Sequence, residues 1–201
     1  MKMKVLFGTT NASKRDRTQR LFAPLGLELC TLNELGITHR VEEDGETAEA
    51  NARKKAMEYF RESGIPTFSI DYGLSVERFP ESSQPGTHVR RINHDEREVT
   101  DDELLDWFIG ELKKVGGESA GTWHCAIAVA LSETDVRSMT ATTGTLFLAE
   151  RCDIMMPGEP LNSIQFDTRT GKYKAERTPE EWIEANNEVD VQMLAFMKEI
   201  F

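Results

Sequence analysis

The sequence is short of cysteine, of positive charge and of long apolar runs, and each shortage argues against a class of function. Three cysteines, Cys30, Cys125 and Cys152, are scattered through 201 residues with no CxxC pair. That spacing speaks against a disulfide framework or a cysteine zinc site, and buried thiols are the expected outcome. The four histidines, His39, His88, His94 and His124, have neither HxxxH nor HxH spacing, so they offer no transition-metal site. Lys and Arg number 24 against 35 Asp and Glu, a formal net charge of −11. A surface this acidic repels nucleic acid, and it obliges any phosphate ligand to find a local group of cations or a divalent metal. No apolar run approaches the ~20 residues of a membrane-spanning helix, and Met1-Lys-Met-Lys4 leads into a strand rather than a signal peptide. The expectation is a cytoplasmic chain with neither membrane nor nucleic acid as partner.

What is present is a regular alternation of apolar strands and amphipathic helices. Lys4 to Gly8 is a compact strand, followed by the hydroxyl-rich junction Thr9-Thr-Asn-Ala-Ser-Lys14 and a polar helix from about Ser13 to Ala23. Such a junction presents free backbone N–H groups and a positive dipole end to an anion, although an ordinary N-cap has the same composition. The glycine pattern of a Walker loop is absent. Leu27 to Leu32 reads as a second strand. Four acidic residues then fall within Glu42 to Glu46, broken only by Gly45. From Thr47 to Ser63 the pattern is helical, with Thr47 as N-cap, Ala48, Ala52, Ala56 and Phe60 on one stripe and Asn51, Lys55 and Tyr59 on the next.

Phe68 to Val76 is the segment on which the reading centres. It reads as a buried strand that stops at the carboxylate of Asp71, turns at Gly73 and resumes, placing Asp71 at a strand mouth where chemistry gathers. Thr100 to Glu103 has a capping-box pattern ahead of a helix bearing Leu104, Leu105, Phe108 and Leu112 on one face. Trp123 to Leu131 suits a central strand. Ser138 to Thr143 and Thr145 to Ala149 read as two strands around Gly144, and Ser163 to Phe166 as a short one. Helices are expected from about Pro179 and from Val189 to Phe201. The whole predicts one α/β domain over 1–201, a mixed, strongly twisted central sheet flanked by helices, with two lobes and a cleft between them.

Several of these pieces, in this order, resemble the inosine triphosphate pyrophosphatase-like enzymes, which hydrolyse non-standard purine nucleoside triphosphates such as ITP, dITP and XTP. The family's Thr-Gly-Asn-x-x-Lys loop is matched by Thr9-Thr10-Asn11-Ala12-Ser13-Lys14, with the glycine replaced. Its Glu-x-Gly and Asn-Ala-x-x-Lys-Ala helix are matched by Glu43-Asp44-Gly45 and Asn51-Ala52-Arg53-Lys54-Lys55-Ala56. Its Asp-Asp-Ser-Gly-Leu motif is matched by Ile70-Asp71-Tyr72-Gly73-Leu74, and its Pro-Gly and following arginine by Pro85-Gly86 and Arg90-Arg91. The strand Trp123-His124-Cys125-Ala126-Ile127 is also similar. The resemblance implies that Thr9, Asn11, Lys14 and Lys55 contact the triphosphate. It implies further that Glu43 and Asp71 hold Mg²⁺, with Mn²⁺ as an alternative, and that Asp71 orients or deprotonates the attacking water. The products are a nucleoside monophosphate and pyrophosphate, and the implied assembly is a homodimer.

Departures from the family pattern lie at both ends of the nucleotide. Ile70 replaces the first aspartate of the pair. The family's Gly-Phe-Gly-Tyr-Asp-Pro loop has no good counterpart in Gly158 to Phe166. Its late lysine and Ser-His-Arg fall near Trp182 and Asn186-Asn187-Glu188, which become the candidates for the base region. Losing His and Arg removes donors to a 6-oxo group, while two asparagine amides can still donate. Two alternatives stand beside an active purine enzyme. One is a catalytically weak nucleotide- or partner-binding protein on the same scaffold. The other is a Maf-like pyrophosphatase of modified pyrimidine nucleotides.

Overall fold

The computed structural model describes residues 2–9, 11–92, 97–184 and 188–201. The chain divides into two compact units. One holds Met1–Tyr72, Cys125–Ala141 and Glu188–Phe201, and the other holds Gly73–His124 and Thr142–Asn187. Seven strands form one sheet: β1 (Lys4–Phe7), β2 (Glu28–Thr31), β3 (Thr67–Val76), β4 (Glu118–Ala130), β5 (Val136–Leu148), β6 (Gln165–Asp167) and β7 (Lys172–Tyr173), in the order β2-β1-β3-β4-β5-β6-β7. The sheet is mixed, as expected. β1 runs parallel to β2 and β3, whereas β5, β6 and β7 pair antiparallel.

In the first unit the parallel strands need helical crossovers, and α1 (Ala12–Phe22) and α2 (Ala48–Ser63) supply them. Alternation along the strands sends neighbouring side chains to opposite faces. Phe7 and Phe68 stack with centroids 4.5 Å apart, and Phe22 of α1 meets Phe68 edge-on. On the α2 face, Leu6, Cys30, Leu32, Ile37, Val41 and Tyr59 form a second cluster. The alanine stripe of α2 lies against Ala126, Ala128 and Ala130 of β4, where short side chains let helix and strand approach closely. Thr47 caps α2 by accepting from Ala50 N at 3.1 Å. The C-terminal helix α5 (Glu188–Ile200) is tied to α1 by Arg17, whose Nη2 donates to both oxygens of Asp190.

The second unit is built on α3 (Asp101–Lys114), which opens with the expected Thr100–Glu103 capping box. Leu104, Leu105, Phe108 and Leu112 are buried against Leu74, Val76, Phe79, Phe147, Leu161 and Ile164. Burying each such side chain fully contributes about 1.5–3 kcal/mol. A short helix, α4 (Pro179–Glu184), lies late in this unit. Among the described residues no helix is long and apolar enough to cross a membrane.

Several strand expectations are corrected. β3 does not stop at Asp71 or turn at Gly73; it is one uninterrupted ten-residue strand, and Asp71 lies in its middle rather than at its mouth. Gly73 serves a close approach instead: a Cβ there would lie 3.2 Å from the carbonyl oxygen of Gly86, where Leu74 and Gly86 exchange two backbone hydrogen bonds. The two strands expected around Gly144 are one, because a Cβ at Gly144 would meet nothing and the glycine demands no turn. β4 starts five residues earlier than its apolar run, at Glu118. β6 begins only at Gln165, since Pro160–Ser163 wind into a 3₁₀ turn. β7, at two residues, is too short to leave a periodic signal.

Candidate functional site

The site is assembled on α2, where three side chains at successive four-residue steps clasp the acidic loop. Asn51 Oδ1 accepts from Gly45 N at 2.7 Å. Lys55 Nζ donates to Glu43 Oε1 at 2.5 Å. Tyr59 OH accepts from Val41 N and donates to His39 O, both at 3.3 Å. The loop therefore runs back along the helix, two residues for each turn. Lys54 adds a surface tie to Asp44 at 2.7 Å. The row Asn51, Lys55 and Tyr59 was visible as a stripe in the sequence; its partners, twelve or more positions upstream of Lys55 and Tyr59, were not. Gly45 is required by this clasp, because a Cβ there would sit 2.6 Å from Asn51 Oδ1.

Lys55 also reaches the sheet. Its Nζ donates to Asp71 Oδ1 at 2.7 Å and, at 3.5 Å, to the carbonyl oxygen of Ile70. Glu43 and Asp71, which the sequence reading paired, are thus joined through one ammonium, and all its hydrogens are directed at protein oxygens. Burial alone would lower the pKa of Lys55; Asp71 and Glu43 reverse this and hold it above the ordinary lysine value. Asp71 is 4% exposed, and its second oxygen, Oδ2, is buried without a hydrogen-bond partner. A buried carboxylate oxygen left in this state costs free energy until a donor or a cation arrives. Ile70, one residue away, points to the opposite face and is also buried, at 3% exposure.

The N-terminal loop reaches this unit through Gly8. Gly8 N donates to Phe68 O at 2.8 Å, and Ser69 Oγ donates to Gly8 O at 2.6 Å. A Cβ at Gly8 would fall 2.7 Å from Ser69 Oγ and 2.8 Å from the Tyr59 ring, so only glycine fits. Thr9 follows, its Oγ1 accepting from Asn11 N at 3.2 Å, while Asn11 O accepts from Arg15 N in the first turn of α1. Lys14 belongs to α1, but its side chain lies outside the described part of the structure. Ser69 and Asn51 are contributors the sequence reading did not assign to the site. Ser69 lies two residues before Asp71 on the same strand face, but its partner, the Gly8 carbonyl far upstream, leaves no local signal.

Of the base-region candidates, Trp182 belongs to the second unit. Trp182 is half-buried with the Arg177 guanidinium 5.2 Å above its ring centroid. Asn186 and Asn187 lie outside the described residues.

Among the described residues no group of three His, Cys, Asp or Glu side chains is gathered. The donor set available to a divalent ion is the pair Glu43 and Asp71. The two oxygens bonded to Lys55 can be no farther apart than those two short hydrogen bonds laid end to end. Two carboxylates with one unbonded buried oxygen suit Mg²⁺, which keeps several waters and takes its remaining ligands from substrate phosphates. The residues fit such an ion.

Comparison with known proteins gives the scaffold a family. A model of the Ham1 family matches residues 5–153. The dITP/XTP pyrophosphatase of Anaeromyxobacter dehalogenans (strain 2CP-C) is 40% identical over 90 residues, 44% of this chain and 37% of that protein. That of Bacillus licheniformis is 28% identical over 136 residues, 67% of each. The match thus spans well under half the length of the first of these relatives. A HAM1 protein from Coxiella burnetii has the same fold, with a TM-score of 0.81 at 21% identity over 98% of this chain and 99% of that one. The Ham1 protein of Staphylococcus aureus agrees at a TM-score of 0.76 and 17% identity, over 98% and 100%. With the family model running from β1 through the Lys55 row and β3, and the fold shared along nearly the whole chain, this protein belongs to the Ham1 family, the inosine triphosphate pyrophosphatase-like group its motifs resemble.

Proposed function

We propose that this protein is a Mg²⁺-dependent nucleoside triphosphate pyrophosphohydrolase that converts NTP and water to NMP and pyrophosphate, acting on non-standard purine nucleotides with altered base recognition. The observation that carries the reading is the Glu43–Lys55–Asp71 centre, in which one buried ammonium serves two carboxylates and Asp71 Oδ2 is left without a partner. Phosphoanhydride hydrolysis asks for neutralised charge and an aligned water more than for covalent chemistry. A divalent ion, held by Glu43 and Asp71, supplies that neutralisation when bound. Lys55, whose ammonium lies between the two carboxylates, would offer its positive charge to phosphate oxygens. Thr9, Asn11 and Lys14 line the start of α1, whose positive dipole end favours the same polyanion. Asp71, through its unbonded oxygen, accepts or orients the proton of the attacking water. The reading also includes a cytoplasmic homodimer, whose oligomeric state sedimentation velocity tests.

The experiment is a pyrophosphate-release screen with ITP, dITP, XTP and the common triphosphates in the presence of Mg²⁺ or Mn²⁺. Turnover is expected with at least one non-standard purine, and Asp71→Asn is expected to lower kcat by about 10²–10⁴-fold with the circular-dichroism spectrum unchanged. Preferential hydrolysis of modified pyrimidine nucleotides would move the chain to a Maf-like activity. Ile70 and the full engagement of Lys55 favour one further reading, a catalytically weak nucleotide binder. Nucleotide-induced thermal stabilisation without pyrophosphate release distinguishes it.

A further inference from the structure

Two buried side-chain atoms of the first unit have no hydrogen-bond partner among the described residues, and they are complementary. One is the acceptor Asp71 Oδ2; the other is the donor Asn51 Nδ2. Asn51 is 0% exposed. An amide buried in this state costs free energy, as the bare carboxylate oxygen does. The amide cannot escape by turning over. Its Oδ1 accepts from Gly45 N at 2.7 Å, and a flipped amide would set its own hydrogens against that N–H. The NH₂ group is therefore held away from Gly45.

The packing of α2 on β3 brings that group to Asp71. Tyr59 lies level with Ser69, because its ring and Ser69 Oγ flank one point beside Gly8, 2.8 Å and 2.7 Å from where a Cβ would stand. One helical step back, Lys55 is level with Asp71, its Nζ 2.7 Å from Oδ1 and 3.5 Å from the carbonyl oxygen of Ile70. Helix and strand thus run in opposite directions. Four helix residues, about 6 Å, match two strand residues, about 6.6 Å. The next step back along the stripe is Asn51, whose Cβ stands about 5–6 Å from that of Lys55. It falls just beyond Asp71 along the strand, on the side of the carboxylate away from Ser69. Lys55 occupies one oxygen of that carboxylate, and the other is the bare one. A cation at Oδ2 would satisfy the carboxylate but repel the amide hydrogens. A phosphate oxygen would satisfy the amide but repel the carboxylate. A water satisfies both, accepting from Nδ2 and donating to Oδ2.

We propose that Asn51 Nδ2 and Asp71 Oδ2 hold one water between them, and that this water is the nucleophile of hydrolysis, with Asn51 as a further catalytic residue. The nucleophilic role rests on the pyrophosphohydrolase reading; the water site does not. Held in this way, the water has one hydrogen on Oδ2 and one lone pair on the amide, and its second lone pair is left for phosphorus. In the reaction its oxygen bonds to phosphorus, and the phosphoanhydride bond breaks with its electron pair on the departing oxygen. The proton that lay on Oδ2 passes to Asp71. Solvent lies close enough to refill the place, since the Glu43 side chain, across the Lys55 ammonium, is 34% exposed.

The test has a structural and a kinetic arm. A crystal structure of the full chain, grown without divalent ions or nucleotide, is expected to show one ordered water within about 2.7–3.2 Å of both atoms. Asn51→Asp keeps an acceptor for Gly45 N but loses the amide donor. It is expected to lower kcat about 10²-fold and to leave KM for the triphosphate unchanged, because the amide touches the water and not the nucleotide. Should Asn51→Asp fail to fold, Asn51→Ala is compared with Gly45→Ala. Both lose the Gly45–Asn51 hydrogen bond and only the first loses the amide, so a lower kcat in Asn51→Ala isolates the donor. A direct Asn51–Asp71 hydrogen bond, or no water on the two atoms, overturns the proposal. So does a folded Asn51→Asp with the wild-type kcat, or an equal kcat in the two alanine variants. A wild type that releases no pyrophosphate from any triphosphate, with the water in place, overturns the hydrolytic reading and the nucleophilic role with it, and leaves the water site standing.

Discussion

Two clusters of opposite charge balance show how the same kinds of side chain can leave a buried carboxylate partly unbonded or close it completely. In the first unit one lysine stands between two carboxylates, Glu43 and Asp71, and one carboxylate oxygen has no partner. In the second, one carboxylate, Asp167, stands between two arginines. Its Oδ1 accepts from Arg169 N and Nε, and its Oδ2 accepts from Arg169 Nη2 and Arg177 Nη2. Arg169 first, together with Arg177, holds the Asp167 pKa at about 2 against the burial that would raise it. Nothing at Asp167 is left to bond, so the cluster closes the turn before β7 and holds Arg177 over Trp182. The Lys55 centre is negative by one charge and leaves one carboxylate oxygen unbonded; the Asp167 centre is positive by one and complete.

The largest break in this comparison comes from Lys55→Met. Removing the ammonium leaves Asp71 buried and unpaired, a loss of about 3 kcal/mol or more, read as a lowered urea midpoint. Added Mg²⁺ or Mn²⁺ is expected to raise the variant's midpoint more than that of the wild type, because the ion replaces the missing charge. Equal responses would detach the carboxylate pair from metal binding. The same residue governs the alkaline limb. Its folded pKa is raised above 10.5, so its contribution is complete below that value and is lost as pH climbs through the folded one. Tyr59, pushed up by burial, adds a loss of the same sign. The difference between the alkaline limbs of wild type and Lys55→Met therefore isolates the lysine, and parallel limbs would contradict its role.

Gly45→Ala sharpens the comparison by loosening only the loop that carries Glu43. The new Cβ would meet Asn51 Oδ1 at 2.6 Å and Ala50 Cβ at 2.9 Å, so the Gly45–Asn51 hydrogen bond should break at a cost of about 1–2 kcal/mol. Divalent-ion affinity, measured by calorimetry, is expected to fall with it. Asp167→Asn has the smallest effect, about 1 kcal/mol once screening at the exposed Arg169 is allowed for. Because the Asp167 pKa is depressed, its stabilisation is present above the ordinary carboxylate value and fades as pH drops from about 4 to about 2. The variant should lack that acid limb in urea melts, while its divalent-ion affinity stays at the wild-type value.

Much of the fold was legible because its signals are local. The alanine stripe and Thr47 cap of α2, and the capping box and apolar face of α3, are spacings of three and four residues, and both helices form where expected. Gly73 and Gly144 misled for the same reason: a glycine announces freedom to turn, but whether the chain turns depends on what lies beside it. At Gly73 the neighbour is the Gly86 carbonyl, and the strand runs straight through.

The sequence by itself determined the alternation of strands and helices, the acidic balance, and the candidacy of Lys55 and Asp71, which follow from residue type and short-range period, while Glu43 was singled out from its acidic run by the family resemblance. Only the tertiary structure decided that one ammonium joins those two carboxylates, that Asp71 Oδ2 is left bare, and that Asp167 is saturated where Asp71 is not. The physical reason is that charge pairing and burial are set by side chains meeting from distant parts of the chain. Glu43, Lys55 and Asp71 come from a loop, a helix and a strand, and no local pattern records which oxygen of a carboxylate the fold will satisfy.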